Sequence, residues 1–497
     1  SDDIYVEISF IGYEPVRLEN IATKGKLMDI GTIALSEQSE MLNEVEVSGE
    51  KSTMEFKLDK RVFNVGKDLS STGASGLEVL DNVPSVTVSI EGQVRLRGNA
   101  GVQILINGKP SVLTSEGGNA LGSITAEMIE KVEVITNPSA KYEAEGTAGI
   151  INIVIKKDER KGINGSFTLN YGQPDNNSVG LSLNRRTEKF NLFTQIGYGV
   201  RNYPREGKNK NDNFLTNTQV LTEGTQYRNE EFYNIILGTD YYINPQNVIT
   251  LSGFYAFEAE DQPSNTNVKK YQNNTQLISE WNREEVTTAG NPKYQYEFIY
   301  KRDFLDDEDH DLIFSATGNL FSKDQSSEFF NTTVLGSDIF DDQQTSTFFR
   351  EAVHTFKLDY THPFGEVWKV EGGFQYANND VSNDFEVKDE LDGQWMFNTG
   401  LTNVFEFVQG VLGVYVMAAY ESDTWGVQLG LRTENTRVNT LLVNTDEKNK
   451  QNFTDLFPSM NTSYKFSKSF SLQAGYSRRI YRPRLWDLNP FFNIRNS

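Results

Sequence analysis

The sequence predicts an all-β transmembrane antiparallel β-barrel preceded by a smaller α+β domain, and three observations carry that prediction. From Gly162 onward apolar and polar residues alternate with period 2, setting a greasy, aromatic face against a polar one. The connections between these runs alternate between tight turns and long polar stretches, as in an outer-membrane barrel. No run of about 18 apolar residues occurs, which leaves a closed barrel as the other way for a chain to cross a bilayer.

Composition agrees and excludes several functions. The 39 Gly and 12% aromatic content suit many strands and turns. A mean hydropathy of -0.51 is no obstacle, because a barrel alternates lipid-facing with lumen-facing residues and carries polar loops outside. The net charge of -22 argues against a nucleic-acid partner, which needs a basic face. With no Cys there is no disulfide, thiolate metal site or cysteine nucleophile. His310, His354 and His362 are too scattered for a zinc-binding helix and read as strand or turn residues, so neither a metal nor a cofactor is expected. No nucleophile, base and orienter assemble, so no catalytic residue and no enzyme is expected. Gly49-Glu50-Lys51-Ser52 lacks the spacing of a phosphate-binding loop. The chain opens at Ser1 without an apolar leader and is read as processed or partial.

In chain order, residues 1–40 form a small β module: Ile4, Val6, Ile8 and Phe10 alternate with polar neighbours before Gly12 and Pro15 break the run, and a second extended run covers 29–35. Residues 41–57 hold Leu42-Asn43-Glu44-Val45-Glu46-Val47-Ser48, an alternating strand between polar linkers with no sheet of its own, as a peptide that adds to a partner's sheet edge requires. Residues 58–158 read as an α+β domain. Val62-Phe63-Asn64-Val65 is a strand, and Leu77, Leu80 and Val83 mark a short amphipathic helix stopped at Pro84. Strands follow at 86–90, 94–97 and 102–106; Thr125 opens a helix, and 132–135 return as strand. Residues 159–497 hold about 13 strands, an odd number where single-chain barrels are even. Trp425, Val427, Leu429 and Leu431 oppose Gly426, Gln428, Gly430, Arg432 and Glu434; Phe470, Leu472 and Tyr476 oppose Ser471, Gln473 and Gly475. Tight turns fall at 186–189, 244–247, 305–310, 363–366, 421–423 and 466–469, with long loops at 203–229, 322–347, 378–400 and 435–454.

Two segments of the α+β domain carry a resemblance. Val94-Arg95-Leu96-Arg97-Gly98 precedes Val102 to Ile106 and the turn Asn107-Gly108. Then Val132-Glu133-Val134, Pro138, Tyr142 and a glycine-rich stretch lead to Ile151-Asn152-Ile153. In order and spacing this resembles the plug domain of TonB-dependent outer-membrane receptors. The opening module resembles the end of the carboxypeptidase-regulatory-like sandwich found in Bacteroidetes members, and Leu42 to Ser48 resembles their TonB box. The resemblance implies a plug inside the barrel lumen, a complete barrel of about 22 strands, and therefore roughly nine strands beyond this chain, whose last stretch, Arg482-Pro483 to Trp486-Asp487-Leu488-Asn489-Pro490-Phe491, resembles an outward loop of such receptors.

The function it implies is import of a scarce nutrient, a siderophore, peptide or glycan, at the bacterial outer membrane, with the plug and N-terminal module facing the periplasm. The alternative is a plugged barrel serving as a structural subunit of a larger assembly. Implied partners are TonB, outer-membrane lipid and lipopolysaccharide, the unidentified nutrient and, as a further class, outer-membrane lipoproteins. Arg97 and Glu434 are expected to pair as a lock between plug and barrel, since a buried arginine needs a carboxylate. Asn99, Tyr203, Tyr227, Trp395 and Trp486 are the substrate-contact candidates. The acidic runs at 258–261 and 338–342 are expected to be solvated loops rather than Ca²⁺ ligands, and the run at 306–309 an ordinary periplasmic turn.

Overall fold

The computed structural model describes residues 6–8, 16–18, 33–34, 54–65, 76–88, 94–98, 102–110, 126, 129–146, 149–155, 162–173, 176–273, 275–304, 310–336, 341–467 and 470–489. The chain divides into Ser1–Ser52 and Thr53–Ser497. In the first unit, β1 (Val6–Ile8) and β2 (Val16–Leu18) pair antiparallel, with Val6 opposite Leu18. The described residues 33 and 34 of the second predicted run lie in no strand. Leu42 to Ser48 fall outside the described residues.

The second unit opens with an α+β domain: β3 (Met54–Phe56), β4 (Arg61–Asn64), α1 (Gly76–Asp81), β5 (Val86–Val88), β6 (Val94–Leu96), β7 (Val102–Ile106), β8 (Lys109–Pro110), β9 (Ile129–Ile135) and β10 (Gly149–Ile155). Its sheet runs β3-β4-β9-β10-β7-β8, with β10 parallel to β7 and antiparallel to β9. The helix forms where the apolar spacing places it, and Leu80 and Val83 enter a core with Leu96, Ile129, Val132, Ile151 and Ile153. The helix expected from Thr125 does not reach Glu130. Ile129 and Glu130 already belong to β9, whose apolar residues Ile129, Val132, Val134 and Ile135 are all buried in the sheet. Asn152, polar in the middle of that buried strand, has a physical reason. Its amide donates to Glu133 at 2.9 Å and accepts from the Gly108 N–H at 2.6 Å, tying the Asn107-Gly108 turn to a carboxylate that Lys60 also holds.

Beyond this domain lie β11 (Gly162–Asn170), β12 (Asn176–Arg186), β13 (Phe190–Asn213), β14 (Thr218–Asn244), β15 (Asn247–Gln272), β16 (Gln276–Gly290), β17 (Lys293–Asp303), β18 (Asp311–Leu335), β19 (Gln343–Phe364), β20 (Trp368–Leu391), β21 (Gln394–Phe397), β22 (Asn403–Glu421), β23 (Trp425–Leu442), β24 (Glu447–Ser467) and β25 (Phe470–Ser477), then α2 (Leu485–Leu488). They form one antiparallel 15-stranded sheet, thirteen of them on its continuous path. The two off that path are pieces of interrupted strands. β16 and β17 occupy one position between β15 and β18, split at Asn291-Pro292, where proline has no N–H to give the ladder. β21 pairs the outer end of β20 before β22 takes over. The expected count of about 13 therefore holds in spatial positions.

The predicted faces hold as well. Trp425, Leu429, Leu431, Phe470, Leu472 and Tyr476 are exposed, on the outer face, whereas Arg432 and Glu434 are buried on the inner one. The outer aromatics gather near the tight-turn ends, where Phe190 stacks near Tyr241 (4.9 Å), Trp368 near Tyr420 (4.9 Å) and Trp425 near Tyr464 (4.6 Å). A second group, Tyr233, Tyr255 and Tyr294, lies higher on the same face. Tyr241 and Tyr233 are about 26 Å apart along their strand, the scale of an apolar band of about 25 Å between two girdles.

The long loops are a correction. Most of 203–229, 322–347, 378–400 and 435–454 is strand: β13 continues to Asn213, β14 starts at Thr218, and Asn217 takes the left-handed turn at φ 52°. The β13 extension is polar on both faces, whereas those of β20 and β23 place Val381, Val438 and Leu442 in a buried cluster with Phe405, Phe407 and Leu485; in all of them hairpin pairing satisfies the backbone. Among the described residues no helix is long and apolar enough to cross a membrane, which says nothing of strands.

Candidate functional site

The inner wall of β20 and β23 to β25 meets the α+β domain along one climbing line. Near the tight turns, Gln473 donates to the Lys57 carbonyl at 3.3 Å. Next, a Cβ at Gly475 would lie 2.6 Å from the Asn137 amide, and one at Gly430 would lie 2.7 Å from the Ala140 Cβ, so both must be glycine for the approach. Lys141 pairs with Glu371 at 2.9 Å, and Gln375 donates to Glu143 at 3.2 Å.

The line ends at residues 143–146. The Ala144 N–H donates to Glu434 Oε1 at 3.0 Å, and the Ala144 carbonyl accepts from the Ile480 N–H at 3.0 Å. Arg479 donates to the Gly146 carbonyl at 3.1 Å and to the Glu145 carbonyl, and Glu145 forms a parallel bridge with Ile480. Glu434 is neutralised on its own wall by Arg432 and Arg482; Arg482 also donates to Thr436 at 3.1 Å and approaches Glu145 at 3.7 Å. Burying such charges is costly unless each has a counter-charge and hydrogen bonds, and three carboxylates (Glu143, Glu145, Glu434) here face three guanidinium groups (Arg432, Arg479, Arg482). Burial, then the neighbouring Glu434 charge, raises the Glu143 carboxyl. Burial, then Glu143, pushes Glu145 up to about 7, against the pull of Arg482.

The expected pairing of Arg97 with Glu434 is not formed. Glu434 does contact the α+β domain, but through a backbone N–H. Arg97 is exposed at the turn after β6, where it and Gly98 both take positive φ (53° and 80°), while Arg432 and Arg482 supply the charge. Arg432 was visible as the same-face neighbour two residues before Glu434; Glu143 and Glu145 lay unread between the tyrosine and the glycines of the motif.

Of the substrate-contact candidates, Tyr227 shares the outward parity of Tyr233 and Tyr241 and does not face the lumen. Trp395 is exposed on β21, Tyr203 lies on β13 opposite Arg228, Trp486 lies in α2, and Asn99 is outside the described residues. The acidic run at 258–261 is not a solvated loop either. Glu258 and Glu260 are buried on the inner wall with Glu230, their carboxylates within 4.8 Å of one another. Lys293 (2.9 Å to Glu258), Arg201 (3.1 Å to Glu230), Arg228 (3.4 Å to Glu260) and Lys323 (3.4 Å to Glu260) offset them, so four cations already oppose three anions and leave no charge for a metal ion to balance.

Comparison with known proteins fits this geometry. Residues 66–150 match the TonB-dependent Receptor Plug Domain, and residues 302–497 match the Outer membrane protein beta-barrel family. Among solved structures the chain is similar to the siderophore receptor PiuA from Acinetobacter baumannii, with 12% identity, a TM-score of 0.58, and coverage of 83% of this chain and 63% of that one. It is similar to the unliganded ferric citrate transporter FecA (12% identity, TM-score 0.51, coverage 84% and 62%). BauA, the ferric preacinetobactin receptor from Acinetobacter baumannii, gives 14% identity, a TM-score of 0.51 and coverage of 84% and 63%. At such identities the likeness is one of fold, and the chain spans less than two thirds of the length of each of these receptors. With a plug domain seated on the inner face of an outer-membrane β-barrel, the chain belongs to the TonB-dependent outer-membrane receptors.

Proposed function

We propose that the protein imports a scarce nutrient across the outer membrane, using work delivered by TonB to move the plug. The observation that carries this reading is the latch at 143–146, where backbone hydrogen bonds and balanced ion pairs, rather than a continuous apolar interface, hold the plug to the wall. Contacts of this kind fix a position yet separate into groups that water solvates readily. Leu42 to Ser48 is the coupling strand in this reading, ahead of the plug's first strand in sequence. A siderophore is the favoured cargo, supported by the likeness to the siderophore receptor PiuA and the ferric preacinetobactin receptor BauA. A peptide or glycan is the second choice, and Asn99, Tyr203, Trp395 and Trp486 are the candidate cargo contacts.

The test is calorimetric titration of a peptide covering 38–50 with the periplasmic C-terminal domain of the host's TonB proteins, against a scrambled control, followed by growth of a strain lacking 42–48 on candidate nutrients. Specific binding together with a growth defect supports energy-coupled import. Absence of binding to every host TonB removes the coupling strand and favours a structural subunit.

A further inference from the structure

We propose that His310, Tyr360 and His362 form a binding site for a divalent transition metal, Zn²⁺ or Cu²⁺, at the tight-turn end of the barrel. His310 immediately precedes β18, Tyr360 and His362 lie near the end of β19, and their polar atoms converge. His310 Nε2 lies 2.9 Å from the Tyr360 hydroxyl, that hydroxyl lies 3.2 Å from His362 Nδ1, and the two ring nitrogens are themselves 3.2 Å apart.

Hydrogen bonding closes this triangle only if one N–H is shared between two acceptors. A ring nitrogen that carries a proton has no lone pair to accept with, and one that lacks a proton cannot donate. The hydroxyl proton serves one edge, and the single N–H must divide between the hydroxyl oxygen and the other ring nitrogen, a weaker three-centre arrangement. A metal ion resolves this, because all three atoms then turn lone pairs to one point. Bonds of about 2.0–2.1 Å place neighbouring ligands about 3.3 Å apart around a tetrahedral ion and about 2.9 Å apart around a square-planar one, which brackets the observed separations.

The surroundings hold the ligands in place. Phe304 stacks on His310 at 4.1 Å and Phe364 packs edge-on against His362 at 4.4 Å, so both rings are braced by neighbours at the turns. His310 is buried, whereas Tyr360 is 40% exposed and shares the outward parity of Phe356 and Phe364, so the site opens on the outer face at the tight-turn end of the barrel. Imidazole nitrogens select Zn²⁺ and Cu²⁺ over hard cations such as Ca²⁺. His354, on the same strand β19, instead bonds the Tyr296 hydroxyl at 2.9 Å and stands apart from the site.

The experiment uses the full-length protein in detergent, stripped with chelator and dialysed against Zn²⁺ or Cu²⁺ alone, with metal counted by mass spectrometry and affinity read by titration. One bound equivalent is expected, weakened about tenfold or more in His310→Ala and in His362→Ala, less in Tyr360→Phe, and unchanged in His354→Ala. No binding, or binding indifferent to the first two substitutions, overturns the proposal. If those variants fail to show the heat-modifiable gel mobility of a folded barrel, the wild-type protein decides. Metal that shields two of its three histidines from acylation supports the site, and metal that shields none overturns it.

Discussion

Glu434 shows how much one side chain can organise. Its two oxygens accept from Arg432, from Arg482 and from the Ala144 N–H, and its side chain is fully buried. Replacing it with Ala leaves two buried guanidinium groups without their shared anion, for which about 3–5 kcal/mol of destabilisation is expected; a lowered thermal midpoint of the detergent-purified protein checks this. Its neighbour Glu145 predicts a pH response of definite sign. A carboxyl raised from 4.5 to about 7 favours the seated plug when protonated, so its contribution is full below its ordinary value and is lost as pH rises through 7. Hydrogen exchange across 137–146, corrected for intrinsic rates, should therefore show less protection at about pH 8 than at about pH 5.5, and Glu145→Gln should flatten the difference. The charges facing Glu145 are Glu143, Glu434, Arg479 and Arg482, and the response belongs to this group jointly.

At the scale of elements, the legible and the illegible separate by physics. Strands that meet lipid on one face and the lumen on the other must alternate, so the parities of β13, β17, β23 and β25 could be read directly. The β13 extension is polar on both faces and nothing in its composition distinguishes a paired strand from a loop, while Val381, Val438 and Leu442 of β20 and β23 face a buried apolar cluster whose partners are set by register. The lock failed differently. A turn such as Arg97-Gly98 fixes the local chain direction but not which distant strand it faces, whereas Arg432 needed only the two-residue period. His310 and His362 meet only through the register of β18 with β19, in which Asp311 pairs with Thr361. No linear spacing announces it. Close approach was equally hidden: Gly430 read as one small residue on a polar face. A valine there meets the Ala140 Cβ, so Gly430→Val should shift the plug off β23 and raise exchange at 137–146 while leaving the strands themselves protected.

For the whole molecule, the fold follows from one requirement: every strand in the apolar band must be paired, and its lumen face must be covered by something polar or packed. The plug supplies that cover for β20 and β23 to β25, and Phe254 of β15 packs against its core. Deleting 54–155 in the cell should therefore leave a wider aqueous path, measured as sensitivity to a bulky antibiotic that the outer membrane normally excludes. Unchanged sensitivity would mean that the plug does not occlude the barrel.

The order of strands in the plug sheet has a mechanical meaning. β3 sits at the edge, bound to β4 alone, and β4 is bound in turn to β9 through four residue pairs. A tension applied from the N-terminal side peels this sheet from its margin, rung by rung, so that few hydrogen bonds bear load at any instant. The anchorage at 143–146 follows β9 in the chain, and α1 and β5 to β8 stand between it and β4, so it feels that tension last. Under the proposed import the plug would work as a rope with its knot at the far end: slack is drawn out at low force first, and the knot sets the force at which the lumen opens.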